Sequence, residues 1–263
     1  MDPAFDTPKP SPEAKGRAAT ARVAVVVFPG TNCEHDTASA LSSLGAAVEL
    51  VWHRAISLEG YDAVVLPGGF AHGDYLRPGA IARFSPIMRE VAHLAEQGTP
   101  VLGICNGFQV LTEAQLLEGA LRQNDGARFV CREVECVVAS QSSVITHCTE
   151  PGQTLRLPIN HFGGNFTCDR ATLADLESRG QVILRYIANP NGSVDGIAAV
   201  SNRAGNVVGM MPHPERASGP LIGGTDGLVL LRAFVKSATE RLQHTKPAGE
   251  IEPVRRHEAR ATA

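Results

Sequence analysis

The chain has 263 residues, of which 43% are hydrophobic and 19% charged, and its net charge is −3. That length holds one large α/β domain or two small ones, and the near-neutral charge gives no sign of an electrostatic nucleic-acid or membrane surface. The longest tight apolar run, Val23–Phe28, is far too short to span a bilayer, and no basic-then-apolar leader opens the chain, so a cytoplasmic location is expected.

Residues 1–20 are rich in Pro, Ala, Ser, Thr and charge without periodicity, and 246–263 read alike. Both are expected to be disordered tails around a domain at 21–245. The domain opens with the β-branched run Arg22–Phe28, typical of a strand buried on both faces. A turn at Pro29–Asn32 leads to a helix from about Cys33 to Leu44, stopped by Gly45. Ala47–Trp52 and Tyr61–Leu66 read as the second and third strands, the third ending in Pro67–Gly68–Gly69–Phe70. Ile81, Phe84, Ile87, Met88, Val91 and Leu94 repeat at helical spacing, with Gly98 as the stop. Val101–Cys105 is the fourth strand, and a helical pattern follows at once. This alternation predicts a doubly wound α/β fold with a mostly parallel sheet covered on both faces, whose ligand sits beyond the carboxyl ends of the strands.

After about Gly119 the pattern changes. Val134, Cys136 and Val138 alternate with Glu133 and Glu135, which predicts a half-exposed antiparallel strand. Short strands follow at Thr154–Ile159, Gln181–Ile187, Gly196–Val200 and Val207–Met210, with turn chemistry at 189–192 and 203–206. Leu228, Leu231, Phe234 and Val235 predict a closing helix. An antiparallel portion is therefore added to the doubly wound core within one domain.

The chemistry centres on Gly103–Ile104–Cys105–Asn106–Gly107. Small residues flank a cysteine between a strand and a helix, the pattern of a nucleophile elbow in which a Cβ at the glycines would clash. The helix N-terminus favours an anion and hence a thiolate. A buried core cysteine is the alternative. The six cysteines do not make a disulfide framework in a chain this long, so a reduced cytosolic compartment is expected, and the absence of a Cys-x-x-Cys pair argues against a zinc or thioredoxin motif. The best base is His213 in Met211–Pro212–His213–Pro214–Glu215. Pro214 pushes His213 toward extended angles, so Glu215, two residues on, faces the same side and can fix the imidazole tautomer. A surface His-Pro-Glu turn is the alternative. Gly68 and Gly69 form either a tight turn or an oxyanion site, acting with the N–H of Asn106. His72 and His161 sit in loops and read as pocket or structural residues. No ligand pair has metal-site spacing, so no metal is expected, and no P-loop is present.

Taken together, Gly103–Gln109 and His213–Glu215 resemble the class I (triad) glutamine amidotransferases. Phe28–Cys33, Pro67–Arg77, Asn189–Gly192 and Gly209–Ala217 resemble, more narrowly, the glutaminase subunits of phosphoribosylformylglycinamidine synthase, from purine biosynthesis. The resemblance spans about Arg22 to Ala217. It implies a flavodoxin-like fold in which Cys105 attacks the side-chain amide of L-glutamine. Backbone N–H groups at Gly69 or Phe70 and at Asn106 would hold the oxyanion, Gln109 would help bind glutamine, and His213, oriented by Glu215, would move the protons. It implies no cofactor in this chain, with ATP and Mg used by a partner synthetase subunit. It leaves open whether a third small subunit takes part, and it implies no nucleic-acid or membrane partner. Two positions depart from the family pattern: Gly163 stands where an acidic residue is common, and Pro78 where cysteine or alanine is common. Two rivals remain: a cysteine hydrolase or chaperone-like protein on the same fold, and a non-catalytic module that binds a synthetase.

Overall fold

The valine-rich opening run forms β1 (Arg22–Val27) in the computed structural model, which describes residues 20–245. Then come α1 (Glu34–Ser43), β2 (Ala47–Trp52), β3 (Ala63–Leu66), α2 (Ile87–Glu96), β4 (Val101–Ile104) and α3 (Asn106–Glu113). The second half holds β5 (Ala120–Arg122), β6 (Val130–Val138), β7 (Thr154–His161), β8 (Asn165–Thr167) and α4 (Arg170–Ser178). It closes with β9 (Val182–Tyr186), β10 (Ile197–Ser201), β11 (Val207–Met210) and α5 (Gly227–Thr245). The expected tails fall on 1–19 and 246–263, outside the described residues.

Nine strands form one sheet in the order β2-β1-β3-β4-β11-β10-β9-β6-β7. The pairs from β2 through β11 are parallel, and those from β11 to β7 are antiparallel. β5 and β8 pair separately. Every residue of β3, β4, β10 and β11 is buried, which requires cover on both faces of the sheet. The alternation in β6 is as its sequence predicts: Val134, Cys136 and Val138 are buried, while Glu133 and Glu135 are exposed.

The parallel half decides where the chemistry collects. β1, β3, β4 and β11 are neighbours running the same way, so their carboxyl ends meet at one edge. The segments leaving that edge carry Cys33, Gly68–Gly69, Cys105 and His213. Four positions spread over some two-thirds of the chain thereby converge, because parallel pairing fixes both their order and their end of the sheet.

Three local details differ from the sequence reading. The helical repeat from Ile81 is broken: a single 3-10 turn covers Ala82–Phe84, Ser85 is extended with ψ 140°, and α2 begins only at Ile87. Pro86 is the cause, since its ring bars the preceding residue from helical angles; Phe84 is accordingly exposed. Helix α4 lacks a strong apolar stripe and starts on the side chain of Asp169, which accepts a bond from the Thr172 N–H at 2.7 Å. β5 and β8 are three residues each, too short to show a period.

Candidate active site

Cys105 follows the last residue of β4 and caps α3, with φ 50° and ψ −103°. A non-glycine residue held there costs roughly 1–3 kcal/mol and persists only where its surroundings enforce it. Here the Cys105 N–H donates to the Met210 carbonyl at 2.7 Å, and its carbonyl accepts from the Gln109 N–H at 3.2 Å. The flanking glycines let the helix close onto the strands. A Cβ on Gly103 would lie 2.7 Å from the Gly107 carbonyl, and one on Gly107 would strike the Leu66 carbonyl.

His213 leaves β11 in extended geometry (φ −101°, ψ 92°), and its N–H donates to the Pro158 carbonyl in β7 at 2.8 Å. Its Nδ1 lies 2.6 Å from Glu215 Oε1, and both residues are only 1% exposed. Burial disfavours the imidazolium, but the facing Glu215 carboxylate and then Cys105 outweigh it, so His213 holds its proton well above the ordinary histidine range. The Cys105 thiol donates to the Asn160 carbonyl, with sulfur and oxygen 3.7 Å apart, while His213 Nε2 has no hydrogen-bond partner among the described residues. The His–Glu pair is therefore formed, and Cys105 lies close enough to His213 to favour its charged form.

A cavity of about 510 Å³ opens in front of Cys105, lined among others by Gly69, Phe70, Asp74, Gln109, Arg122 and Gly163. Of the two alternative donors expected to act with Asn106, the Phe70 N–H is already bonded to the Gly30 carbonyl at 3.0 Å. The Gly69 N–H has no acceptor among the described residues, and the Asn106 N–H, at the first position of α3, has none within the helix. Phe70 instead contributes wall surface.

The Asn106 and Gln109 side chains brace each other. Asn106 Nδ2 donates to Gln109 Oε1 at 2.8 Å and to Asp74 Oδ1 at 3.1 Å, its Oδ1 accepts from the Ala71 N–H, and Gln109 Nε2 donates to the Gly163 carbonyl at 2.6 Å. Gln109 thus holds the wall together as well as facing the cavity. A Cβ at 163 would sit 3.3 Å from Gln109 Nε2, so a side chain there would crowd the Gln109–Gly163 bond by a few tenths of an ångström. Pro78 also lines the cavity.

His161 lines the cavity with Nδ1 3.1 Å from Asn124 Oδ1, and burial, with the charge of His213, pushes its pKa down to about 4. His72 does not line the cavity and packs against the rings of His53 and Phe28. Three residues around the site are not marked by the sequence reading. Asp74, whose carboxyl burial pushes up to about 6 against the Asn106 bond, faces the cavity; its one signal is its place in the family segment Pro67–Arg77. Asn160 supplies the carbonyl at Cys105, and nothing in a linear reading marks a backbone acceptor. Cys33 approaches His213 so closely that a Cβ on Gly68 would lie 2.7 Å from His213 Cε1 and 3.2 Å from Cys33 Sγ.

Comparison with known proteins places this geometry among relatives. Residues 20–222 match the family described as CobB/CobQ-like glutamine amidotransferase domain. A protein of Rubrobacter xylanophilus named phosphoribosylformylglycinamidine synthase subunit PurQ is 54% identical over 217 residues, covering 82% of this chain and 99% of the relative. The protein of the same name from a Nostoc species is 52% identical over 214 residues, 81% of this chain and 96% of the relative. The solved structure of PurLQS from Thermotoga maritima contains a chain that superposes with a TM-score of 0.77 at 42% identity, covering 83% of this chain and 99% of that one. A putative GMP synthase subunit from Thermoplasma acidophilum, with a TM-score of 0.62 and 16% identity over 88% of this chain and 100% of that one, shares the fold.

Proposed function

The chain belongs to the CobB/CobQ-like glutamine amidotransferase family, as a glutaminase subunit of phosphoribosylformylglycinamidine synthase in purine biosynthesis, and we propose that Cys105, His213 and Glu215 carry its reaction. The observation that carries this assignment is convergence: an elbow cysteine, a buried His–Glu pair at 2.6 Å and a free Gly69 N–H meet at one sheet edge.

The thiolate of Cys105 attacks the side-chain carbonyl carbon of L-glutamine. The developing oxyanion is held by the N–H groups of Gly69 and Asn106, each such donor contributing about 10²–10³ in rate. His213, charged at neutral pH, gives a proton to the departing nitrogen, which leaves as ammonia and yields the γ-glutamyl thioester. The neutral imidazole then takes a proton from water, whose oxygen attacks the thioester, and glutamate is released as Cys105 regains its thiolate. Glu215 keeps the Nδ1 proton in place, so that Nε2 is the exchanging atom.

The cavity suits a zwitterion. Asp74 accepts the α-ammonium and Arg122 meets the α-carboxylate, both being in its wall, while Gln109 holds the loop at Gly163 against the substrate. Ammonia passes to a synthetase subunit that uses ATP and Mg, and no cofactor binds this chain. A third small subunit completes the assembly, a reading supported by the three-letter suffix of the Thermotoga PurLQS. Among the described residues no helix is long and apolar enough to cross a membrane, and the site of action is cytoplasmic.

The test is glutamate release from glutamine by the reconstituted complex with ATP and formylglycinamide ribonucleotide. Cys105→Ala is expected to abolish glutamine-dependent synthesis and to spare synthesis from added ammonium. Loss of both, or persistence of the glutamine-dependent reaction, would overturn the assignment.

A further inference from the structure

Beside the His–Glu pair, and outside the lining of the glutamine cavity, lies a second buried thiol that the mechanism does not use. Cys33 is 1% exposed. Its sulfur, a nitrogen of His213 and a carboxylate oxygen of Glu215 all lie within 4.8 Å of one another. Gly68 presents no side chain between Cys33 and the Nδ1 edge of the ring. Glu215 Oε2 and His213 Nε2 are buried without hydrogen-bond partners among the described residues. Arg216 Nη2 donates to Cys33 Sγ at 3.0 Å, and the thiol in turn donates to Asn32 Oδ1 at 3.2 Å, so a cation binding the sulfur displaces that proton to water. A separate small cavity of about 170 Å³, lined by Asp36, Ser39, Ser43, Glu215 and Ser218, reaches Glu215 from the α1 side.

We propose that Cys33, His213 Nδ1 and Glu215 form a site for a thiophilic divalent cation, zinc by its ligand preference, which switches off glutamine hydrolysis by occupying the back of the catalytic histidine. Sulfur, imidazole nitrogen and carboxylate oxygen are the zinc donor set, and bond lengths of about 2.0–2.3 Å put tetrahedral ligand atoms about 3.3–3.8 Å apart. The three atoms here lie within 4.8 Å, and Nδ1 and Glu215 Oε1 are 2.6 Å apart, so binding a cation draws the sulfur in by about 1 Å and opens the Nδ1–carboxylate pair to about 3.3 Å. One thiolate and one carboxylate balance the two positive charges. The cation displaces the proton shared by Nδ1 and Glu215, and water carries that proton away. The ring proton is then held on Nε2, the atom facing Cys105. An imidazole bound in this way cannot accept a proton from water, so the thioester is not hydrolysed. Because none of the three ligands lines the glutamine cavity, inhibition lowers kcat without raising KM for glutamine.

The inhibitory part rests on the catalytic reading above; the binding part does not. Two measurements separate them. In the reconstituted complex at buffered free zinc, glutamine-dependent synthesis is expected to fall in kcat alone, with ammonium-dependent synthesis unchanged. Cys33→Ser, which keeps turnover, is expected to need at least tenfold more zinc. Inhibition competitive with glutamine, or equal sensitivity in Cys33→Ser, overturns the proposal. In the full chain alone, cobalt is titrated as a spectroscopic probe. The sulfur-to-cobalt charge-transfer band is expected to persist in Cys105→Ala and to vanish in Cys33→Ser. The reverse pattern places the metal on the nucleophile and overturns the site. A cobalt band from Cys33 in a complex that never forms glutamate would refute the catalytic reading and leave the metal site standing.

Discussion

At the level of single residues, the site separates the groups proposed to react from the groups that hold them. Glu215 reaches no part of the glutamine cavity, yet its carboxylate is bonded to Nδ1 at 2.6 Å in a buried setting. Replacing it by glutamine keeps the shape and removes the charge that favours the imidazolium. Glu215→Gln is expected to lower kcat by about 10²–10⁴-fold, the usual contribution of acid–base catalysis, with KM for glutamine little changed; a purely KM effect in steady-state assays would contradict this. Asp74 gives a pH signature. Burial, against the Asn106 bond, raises its carboxyl to about 6, so its charge is present above that pH and lost below it. The KM for glutamine is therefore expected to rise as pH falls through about 6, because the proposed receptor for the α-ammonium is neutralised. In Asp74→Asn the KM is expected to be raised already at about pH 7.5, well above that carboxyl's titration, and to be flat across the range. A pH-dependent KM surviving in Asp74→Asn would assign the titration elsewhere.

At the level of elements, the elbow depends on how closely α3 approaches β3 and β4. Gly107 lies against the Leu66 carbonyl, where a Cβ has no room and the obstacle is backbone. Gly107→Ala is expected to destabilise the fold by about 1–3 kcal/mol, the cost of overpacking a filled interior. It would also tilt Cys105 away from Gly69 and lower kcat. A thermal melt and an activity assay read the two effects, and an unchanged melting temperature would show that α3 is free to shift. Pro86 illustrates the opposite case, where one residue overrides a periodic pattern. The apolar spacing continues from Ile81 to Leu94, but the ring bars Ser85 from helical angles, so the helix starts afresh at Ile87.

Across the whole molecule, the parallel and antiparallel halves are one sheet, joined by the antiparallel β11–β10 pair and sharing one hydrophobic core. Such continuity predicts a single cooperative unfolding transition. The only tryptophan in the sequence, Trp52, lies at the end of the edge strand β2, seven strands from β6 in the sheet order. Denaturant unfolding followed by its fluorescence is expected to coincide with that followed by far-UV circular dichroism. Two separated transitions would mean that the antiparallel half unfolds on its own.

Much of this is legible in one dimension. Buried strands announce themselves as β-branched runs, half-buried ones as alternation, and the elbow as glycines around a cysteine between the two kinds of pattern. Those signals are local, because backbone geometry and the burial of one face act over a few residues. The elbow geometry of Cys105, and the pairing of His213 with Glu215 across a proline, belong to this class. Other features need the fold. Phe70 and Gly69 look equivalent as donors until the Gly30 carbonyl claims one of them. Asp74 and Asn160 enter the site because β7 and the 70–80 loop fold across the edge. The separation in sequence of Cys33 from His213 offers no ligand spacing to read, and parallel pairing of β1, β3, β4 and β11 sets the two side by side. Proximity between strand ends is a property of sheet order, and sheet order is decided by the packing of the whole chain rather than by any stretch of it.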